Sequence, residues 1–167
     1  MAIHASRLLI SAFACPAVVA CATAPYEHSK TRQLAGAWTV VSVVQTNADG
    51  SKVDVFGKAP MGSFLVTPDG QCSVILMRDD LPKFKSGVRQ TGTPEEFTAV
   101  GKGSLVYAGA CSADDRELTM VVKTSTFPAW IGQTQKRQYT LEGDQLRWVG
   151  ITGLQGANVA VTLKRSQ

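Results

Sequence analysis

Short runs in which apolar and polar residues alternate make up most of the chain after Gln33. Alternation with a period of two is typical of strands that bury one face. The runs end at turn signals: NADG after Thr46, PDG after Thr67 and GD after Glu142. About eight such strands follow one another with mostly short connections, which predicts an all-β, antiparallel, up-and-down sheet over residues 34–167. Because little helix is available to cover a face, we expect the sheet to close into a barrel.

One segment breaks this alternation with the signals of a helix start. Thr93 suits the N-cap position, Pro94 the first helical position, and Glu96 stands where a capping box needs an acid. We therefore predict one short helix near residues 93–101, lying over the barrel or one of its ends.

The strand after Pro128 has polar residues on both of its faces. Its outer face is polar, as the outside of a barrel should be. The opposite face, which alternation turns inward, begins with Gln133, Gln135 and Arg137. A buried arginine is costly unless it is paired. Two interpretations stay open: Arg137 meets an internal acid or water at the mouth, or it meets an anionic group on a ligand.

The same alternation gives other inward positions, and in a ligand barrel the core and the cavity wall are one surface. A proline at position 128 breaks the strand ladder, so the aromatic residues around it either rim the mouth or plug the barrel's side. The predicted ligand-binding residues are Arg137, Gln135, Gln133, Tyr107, Met120, Tyr139, Trp130, Phe127 and Trp148.

Two cysteines, Cys72 and Cys111, lie in strands that the helical segment connects. An antiparallel register can place them directly opposite each other, with Cβ atoms about 4.5–5.5 Å apart, close to what a disulfide needs. We predict a bridge between them; the alternative is two separate buried thiols.

The N-terminus has the layout of an export signal, with Arg7 followed by an apolar stretch from Leu8 to Ala20. The last residues before Cys21 resemble a bacterial lipobox, in which this cysteine is acylated and begins the mature chain. We therefore predict a signal peptide over residues 1–20, a polar tether over residues 21–33 and an outer-membrane lipoprotein facing the periplasm.

A second cleavage position competes with the lipobox. Ala22, Thr23 and Ala24 form an ordinary signal-peptidase site. Cleavage after Ala24 would give a soluble periplasmic or secreted protein.

Composition narrows the partners and the chemistry. The net charge is +4, with basic residues interspersed among acids, which argues against nucleic-acid binding. No apolar run of about 18 residues occurs beyond the N-terminus, so we expect membrane contact only through the lipid anchor. His4 and His28 both precede the predicted barrel, and no Cys/His cluster has metal spacing. We therefore predict no metal, no cofactor and no histidine-activated nucleophile.

Several motifs together identify a family. Gly36-Ala37-Trp38 opens the first long strand, and LVTPDG, SVILMRDDLPKF, GTPEEF, YAGAC, STFPAWIGQTQKRQYTLEGDQL and VTLKR follow. In this order and spacing they resemble the small bacterial and fungal lipocalin-like domain family, from about Leu34 to Arg165. The resemblance implies a closed antiparallel barrel with an internal cavity.

The resemblance also implies structural residues. Trp38 would seal the closed end beneath a cationic side chain of the last strand, here Arg165, and Gly36 belongs to the same motif. An arginine on a tryptophan face is a favourable cation–π pair. Members often carry histidines in the strand before the Phe-Pro-x-Trp segment, where this chain has Met120 and Val121, so no histidine role carries over.

Three functions follow from these observations. The first is an envelope-anchored, non-catalytic protein that binds a small hydrophobic or amphipathic molecule, with an acidic head group facing Arg137. The second is an isomerase or cyclase that works through cavity shape without histidine. The third is a structural lipoprotein with a filled barrel. The missing histidines favour the first over the second, and cavity volume discriminates between the first and the third.

Overall fold

The fold is one antiparallel sheet that closes on itself. The computed structural model describes residues 30–150 and 158–167. Within them the strands are β1 Gly36–Thr46, β2 Lys52–Asp54, β3 Met61–Val66, β4 Gln71–Met77, β5 Ser104–Ala113, β6 Glu117–Ser125, β7 Thr134–Glu142, β8 Gln145–Val149 and β9 Asn158–Arg165. The order is β2-β1-β3-β4-β5-β6-β7-β8-β9, and β1 also pairs with β9, which closes the barrel. The predicted all-β barrel is confirmed, with β2 as an extra strand on the end of β1.

An α-helix, α1 (Pro94–Gly103), connects β4 to β5. Its capping box forms: the Glu96 N–H donates to the Thr93 hydroxyl oxygen, and the Thr93 N–H donates to the Glu96 carboxylate. The helix begins where the sequence predicts and ends slightly later. Two short 3₁₀ turns, Arg89–Thr91 and Pro128–Trp130, occupy other connections. No described helix is long and apolar enough to span a membrane.

A helical turn of residues 30–34 crosses the end of the barrel at which β1 begins, which we call the closed end. The Trp38 indole donates to the Leu34 carbonyl at 2.8 Å, and the Ala113 N–H donates to the Thr31 hydroxyl at 3.0 Å. The described part of the predicted tether, from residue 30 onward, therefore packs on the barrel, because its carbonyls and hydroxyl satisfy groups of the strands.

The predicted signal peptide of residues 1–20, Cys21 and the alternative cleavage site at Ala24 lie outside the described residues.

Arg165 covers Trp38 at this closed end. Its guanidinium carbon lies 4.1 Å from the centre of the Trp38 ring, and it donates to the Gln33 and Ala35 carbonyls at 2.9 Å each. Gly36 makes room for the guanidinium. Its φ is +126°, and a Cβ there would lie 3.2 Å from Arg165 Nη1, so a side chain at this position would strain both the backbone and the stack.

The predicted disulfide between Cys72 and Cys111 forms, with 5.9 Å between the two Cα atoms. The predicted register was wrong: Cys72 pairs with Gly109, so Cys111 is its diagonal neighbour. The error is two residues. A shift of two leaves every side chain on the same face, so the apolar pattern cannot detect it.

Candidate functional site

The inner face of β7 brings two polar side chains into the barrel. Gln135 and Arg137 are 3% and 2% exposed, and across the ladder they face Met120 and Leu118 of β6. This follows from the alternation of β7, whose intervening positions keep polar side chains in water. The strand thus places an amide and a guanidinium side by side among apolar residues.

Arg137 is held by neutral groups. Its Nη2 donates to the Tyr107 hydroxyl oxygen at 3.2 Å and also to Gln135 Oε1. Its guanidinium carbon lies 5.6 Å from the centre of the Tyr107 ring. A tyrosine and an amide orient the arginine, but neither carries a charge that balances it.

Within residues 30–150 and 158–167, no carboxylate pairs with Arg137. The ion pairs there join other residues, and the one buried acid, Glu96, caps α1. The sequence of residues 151–157 contains no acid. Of the interpretations open at the sequence level, an internal arginine–acid pair therefore finds no partner in the described barrel.

Three buried nitrogen donors lack an acceptor in the part of the chain that the structure describes. They are Gln135 Nε2, Arg137 Nε and Trp148 Nε1. Trp148 of β8 pairs with Tyr139, which makes it the diagonal neighbour of Arg137 on the inner face. Leaving a buried donor unsatisfied costs about 1–3 kcal/mol. Such a cluster of donors suits a group that only accepts hydrogen bonds, such as a carboxylate or a carbonyl oxygen.

Tyr107 adds a fourth donor to this cluster. Burial raises the pKa of the Tyr107 phenol, and the nearby Arg137 charge lowers it. The phenol is fully buried and therefore stays protonated at neutral pH. The Tyr107 oxygen accepts a hydrogen bond from Arg137, so the hydroxyl proton of Tyr107 can donate to the same acceptor group.

The side chains around this donor cluster are tightly packed. Tyr107, Met120 and Trp148 are each exposed by 1% or less. A ligand therefore reaches the donors only when a covering side chain moves.

An open depression of about 260 Å³ lies at the other end of the barrel, near the start of β5 and the end of β6; we call it the mouth depression. Its lining residues are Phe56, Gly101, Lys102, Ser104, Leu105, Thr126, Phe127 and Trp130. Phe127 is 46% exposed and rims it, whereas Trp130 is 4% exposed and plugs the barrel below. The Trp130 ring centre lies 5.2 Å from that of Tyr107. Trp130 thus separates the mouth depression from the donor cluster.

Two predicted site residues lie elsewhere. Gln133 was predicted to point inward, which is wrong: it is exposed, and its amide donates to the Ala129 carbonyl at 2.8 Å. The reason is that β7 begins only at Thr134. The Gln133 carbonyl accepts from Val122 of β6, but its own N–H donates back to the Trp130 carbonyl of the turn, so the alternation of β7 does not extend to its side chain. Tyr139 is half-buried, and its hydroxyl donates to the Asp114 carbonyl at 2.6 Å, away from the donor cluster.

Sequence patterns did not identify Phe56 or Lys102, which both line the mouth depression. Phe56 sits in the connection between β2 and β3, and Lys102 in the last turn of α1. Neither belongs to an alternating run. The available signal for Phe56 was a bulky aromatic residue in a short connection that also holds Gly57 and Pro60.

Metal binding finds no support in residues 30–150 and 158–167, where no three His, Cys, Asp or Glu side chains are grouped closely enough to hold an ion. The buried donor cluster is also unsuited to a cation, because it presents N–H groups and a positive charge.

Comparisons with known proteins agree with this architecture. The chain matches the family described as a lipocalin-like domain over residues 35–159. A 4'-hydroxy-3'-methoxypropiophenone carrier protein of Aspergillus oryzae is 30% identical over an alignment that covers 44% of this chain and 74% of the carrier. The crystal structure of a lipocalin-like protein from Bacteroides uniformis aligns with a TM-score of 0.44 and 15% identity, covering 80% of this chain and 98% of that one.

Proposed function

This chain belongs to the lipocalin-like domain family, and from that membership we propose that it binds and carries a small, mostly apolar molecule. The ligand's polar end is an acceptor group, by preference a carboxylate, that meets Arg137 inside the barrel. The apolar remainder extends toward the mouth depression.

The observation that carries this proposal is the unbalanced charge of Arg137. Its neighbours supply one accepting amide oxygen and one phenol, while its Nε and two adjacent nitrogens remain without acceptors. A buried ionic group is often less stable than an apolar residue of similar volume. A carboxylate would balance the charge and accept from several of these donors in one step.

The carrier relative supports the same function. Its name describes carriage of an aryl ketone, whose carbonyl oxygen is an acceptor of the kind that the donor cluster requires. Carriage also needs only binding and release, which a barrel with a mobile cover provides.

The two alternative functions, an enzyme and a filled structural barrel, account for fewer of these observations. An isomerase or cyclase that moves a proton needs a group to take it up. Arg137, Tyr107 and Trp148 present N–H and O–H donors, which can stabilise a negative charge but do not take up a proton, and one that works through shape alone gives no role to these donors. By cavity volume, the packed interior around Met120 favours the filled structural barrel, but that alternative leaves unexplained an arginine where an apolar side chain would cost less.

Calorimetric titration with nonanoate and 1-nonanol tests the proposal, since the two ligands share a chain and differ in the head group. We expect the wild type to bind nonanoate at least about tenfold more tightly than nonanol. Arg137→Met should remove that preference, and Lys136→Met, on the outer face of the same strand, should keep it. Equal affinities of the wild type for the two ligands would contradict the proposal.

We further propose that the protein acts at the cell envelope, as an outer-membrane lipoprotein facing the periplasm. Arg7, the apolar stretch of residues 8–20 and Cys21 support this, as does a disulfide that persists in oxidising compartments. Mass spectrometry of the mature N-terminus tests it. A diacylated Cys21 is expected, and loss of membrane association in Cys21→Ser; a chain beginning at Pro25 would show the soluble form instead.

A further inference from the structure

The donor cluster is sealed from solvent. Gln135, Arg137 and Trp148 are exposed by 3% or less, and each carries a nitrogen donor without an acceptor in the described chain. If a ligand's head group is to reach them, as the proposed function requires, one of the side chains above them must give way.

Trp130 is the covering side chain that lies outside the strands, whereas Tyr107, Met120 and Trp148 lie within them. It sits on the 3₁₀ turn Pro128–Trp130, whose flanking residues Phe127 and Ile131 are 46% and 52% exposed. The turn's own bonds are local: the Trp130 N–H donates to the Phe127 carbonyl, and the Ile131 N–H to the Pro128 carbonyl, at 3.0 Å each. Tyr107, by contrast, lies within β5, which is paired on both sides.

The chain can pivot on either side of this turn. Gly132, which follows it, has a φ of +84°, in the region that glycine tolerates best. On the other side, the turn is joined to β6 through Thr126, which is bonded to Val106. Gly132 is also bonded to β6, because its N–H donates to the Val122 carbonyl at 2.9 Å, so the turn swings out between two anchored ends while its internal hydrogen bonds stay intact.

A ligand that displaces Trp130 must replace the contacts that its indole ring makes. Trp130 meets Tyr107 edge to face, with ring centres 5.2 Å apart and planes at 87°, and Phe127 meets Trp130 in the same way at 5.7 Å. Tyr107 in turn holds Arg137. Edge-to-face contacts are favourable beyond the area that they bury, and an aliphatic chain cannot reproduce them.

We infer that Trp130 is a removable plug that occupies the position of the ligand's ring, and that the ligand is an aromatic acid with a single ring. This inference rests on the proposed function and specifies its ligand. The ring takes over the contact with Tyr107 while the carboxylate reaches Arg137. The space suffices, since a cavity of about 150 Å³ holds benzene and the mouth depression beside Trp130 already offers about 260 Å³.

Two acids with equal carbon number, 3-phenylpropionate and nonanoate, test the inference by calorimetric titration. We expect the wild type to prefer 3-phenylpropionate. Trp130→Ala should bind 3-phenylpropionate about tenfold more tightly than the wild type, because the ligand no longer displaces an indole. Ile131→Ala, beside the same turn but 52% exposed and outside the lining of the mouth depression, serves as the matched control and should change the affinity by less than about threefold.

The outcomes separate this inference from the proposed function. If neither acid binds the wild type, the proposed function fails. If both acids bind it equally, or Trp130→Ala weakens 3-phenylpropionate more than nonanoate, the proposed function stands and the plug is overturned.

A measurement on the wild type covers the case in which Trp130→Ala does not fold. The indole N–H signal of Trp130, assigned by comparison with Trp130→Phe, should gain fast solvent exchange when 3-phenylpropionate is added. Unchanged exchange at saturation would overturn the plug as well.

Discussion

Arg137 and Arg165 belong to the same barrel but differ in whether their N–H groups find acceptors. Arg165 donates to two backbone carbonyls and stacks on Trp38. Arg137 leaves its Nε unsatisfied and has no acid beside it in the described chain. The first arginine therefore completes the fold, while the second keeps a buried donor that no acceptor in the described chain satisfies.

Replacing Arg137 should stabilise the empty barrel. We expect Arg137→Met to raise the free energy of unfolding by about 1–4 kcal/mol, because a buried charge without a counter-ion is exchanged for an apolar side chain of similar length. Urea unfolding measures the change, with Lys136→Met as the control on the wet face. A clear loss of stability would mean that Arg137 has a structural partner.

Replacing Arg165 should have the opposite sign. Arg165→Met removes two charge-assisted hydrogen bonds and the stack on Trp38, so we expect a loss of about 2–4 kcal/mol in the same urea experiment. Binding of nonanoate by the folded fraction should not change, since the closed end lies away from the donor cluster. Wild-type stability in this variant would refute the sealing role of Arg165.

Removing the disulfide should destabilise the protein without altering the donor cluster. For the double variant Cys72→Ala with Cys111→Ala we expect a loss of about 2–4 kcal/mol, because the bridge closes a long loop in the unfolded chain. The sequence separation is 39 residues. Urea unfolding with and without a reductant measures this loss. The free energy of unfolding of the reduced wild type should approach that of the double variant, and a wild-type value that the reductant does not change would contradict the prediction.

The capping carboxylate of α1, Glu96, should make the protein less stable in acid. Backbone N–H groups of Lys85 and Thr93 donate to Glu96 at 2.9 Å each and hold its pKa below the ordinary value. A depressed pKa stabilises the fold above the pKa of the unfolded chain, about 4.3, and this contribution is lost as the pH falls through the folded value.

Melting temperatures of the wild type and Glu96→Gln, measured from pH 7 down to pH 3, test this. The wild type should be the more stable at neutral pH, and the difference should shrink below about pH 4. Glu142→Gln, at the exposed end of β7, is the control for general charge effects. A difference that is constant over the whole range would exclude the carboxylate's charge as the cause.

The fold was predictable because its information is local. Alternation and turn signals place each strand, and Thr93 with Glu96 places the helix start. The register between β4 and β5 could not be predicted from these patterns. A slip of two residues keeps every side chain on the same face and still leaves Cys111 within reach of Cys72.

The site was predictable only where it lies inside a strand. Alternation along β7 put Gln135 and Arg137 inside, and the same rule failed at Gln133, where the strand has not yet begun. Phe56 reaches the mouth depression from a connection without periodicity. Its position depends on tertiary packing, which no local pattern contains.

The pairing of β1 with β9 has a consequence for synthesis. It sets Trp38 opposite Arg165, so the first and last strands of the described barrel complete each other's hydrogen bonds. A growing chain can build the sheet strand by strand, but both of its edges stay open until β9 is made. Open edges invite pairing with other chains, and contacts between distant segments form slowly. A nascent chain therefore needs protection until its last strand emerges, and a chain that stops before β9 is an aggregation hazard, not a smaller barrel.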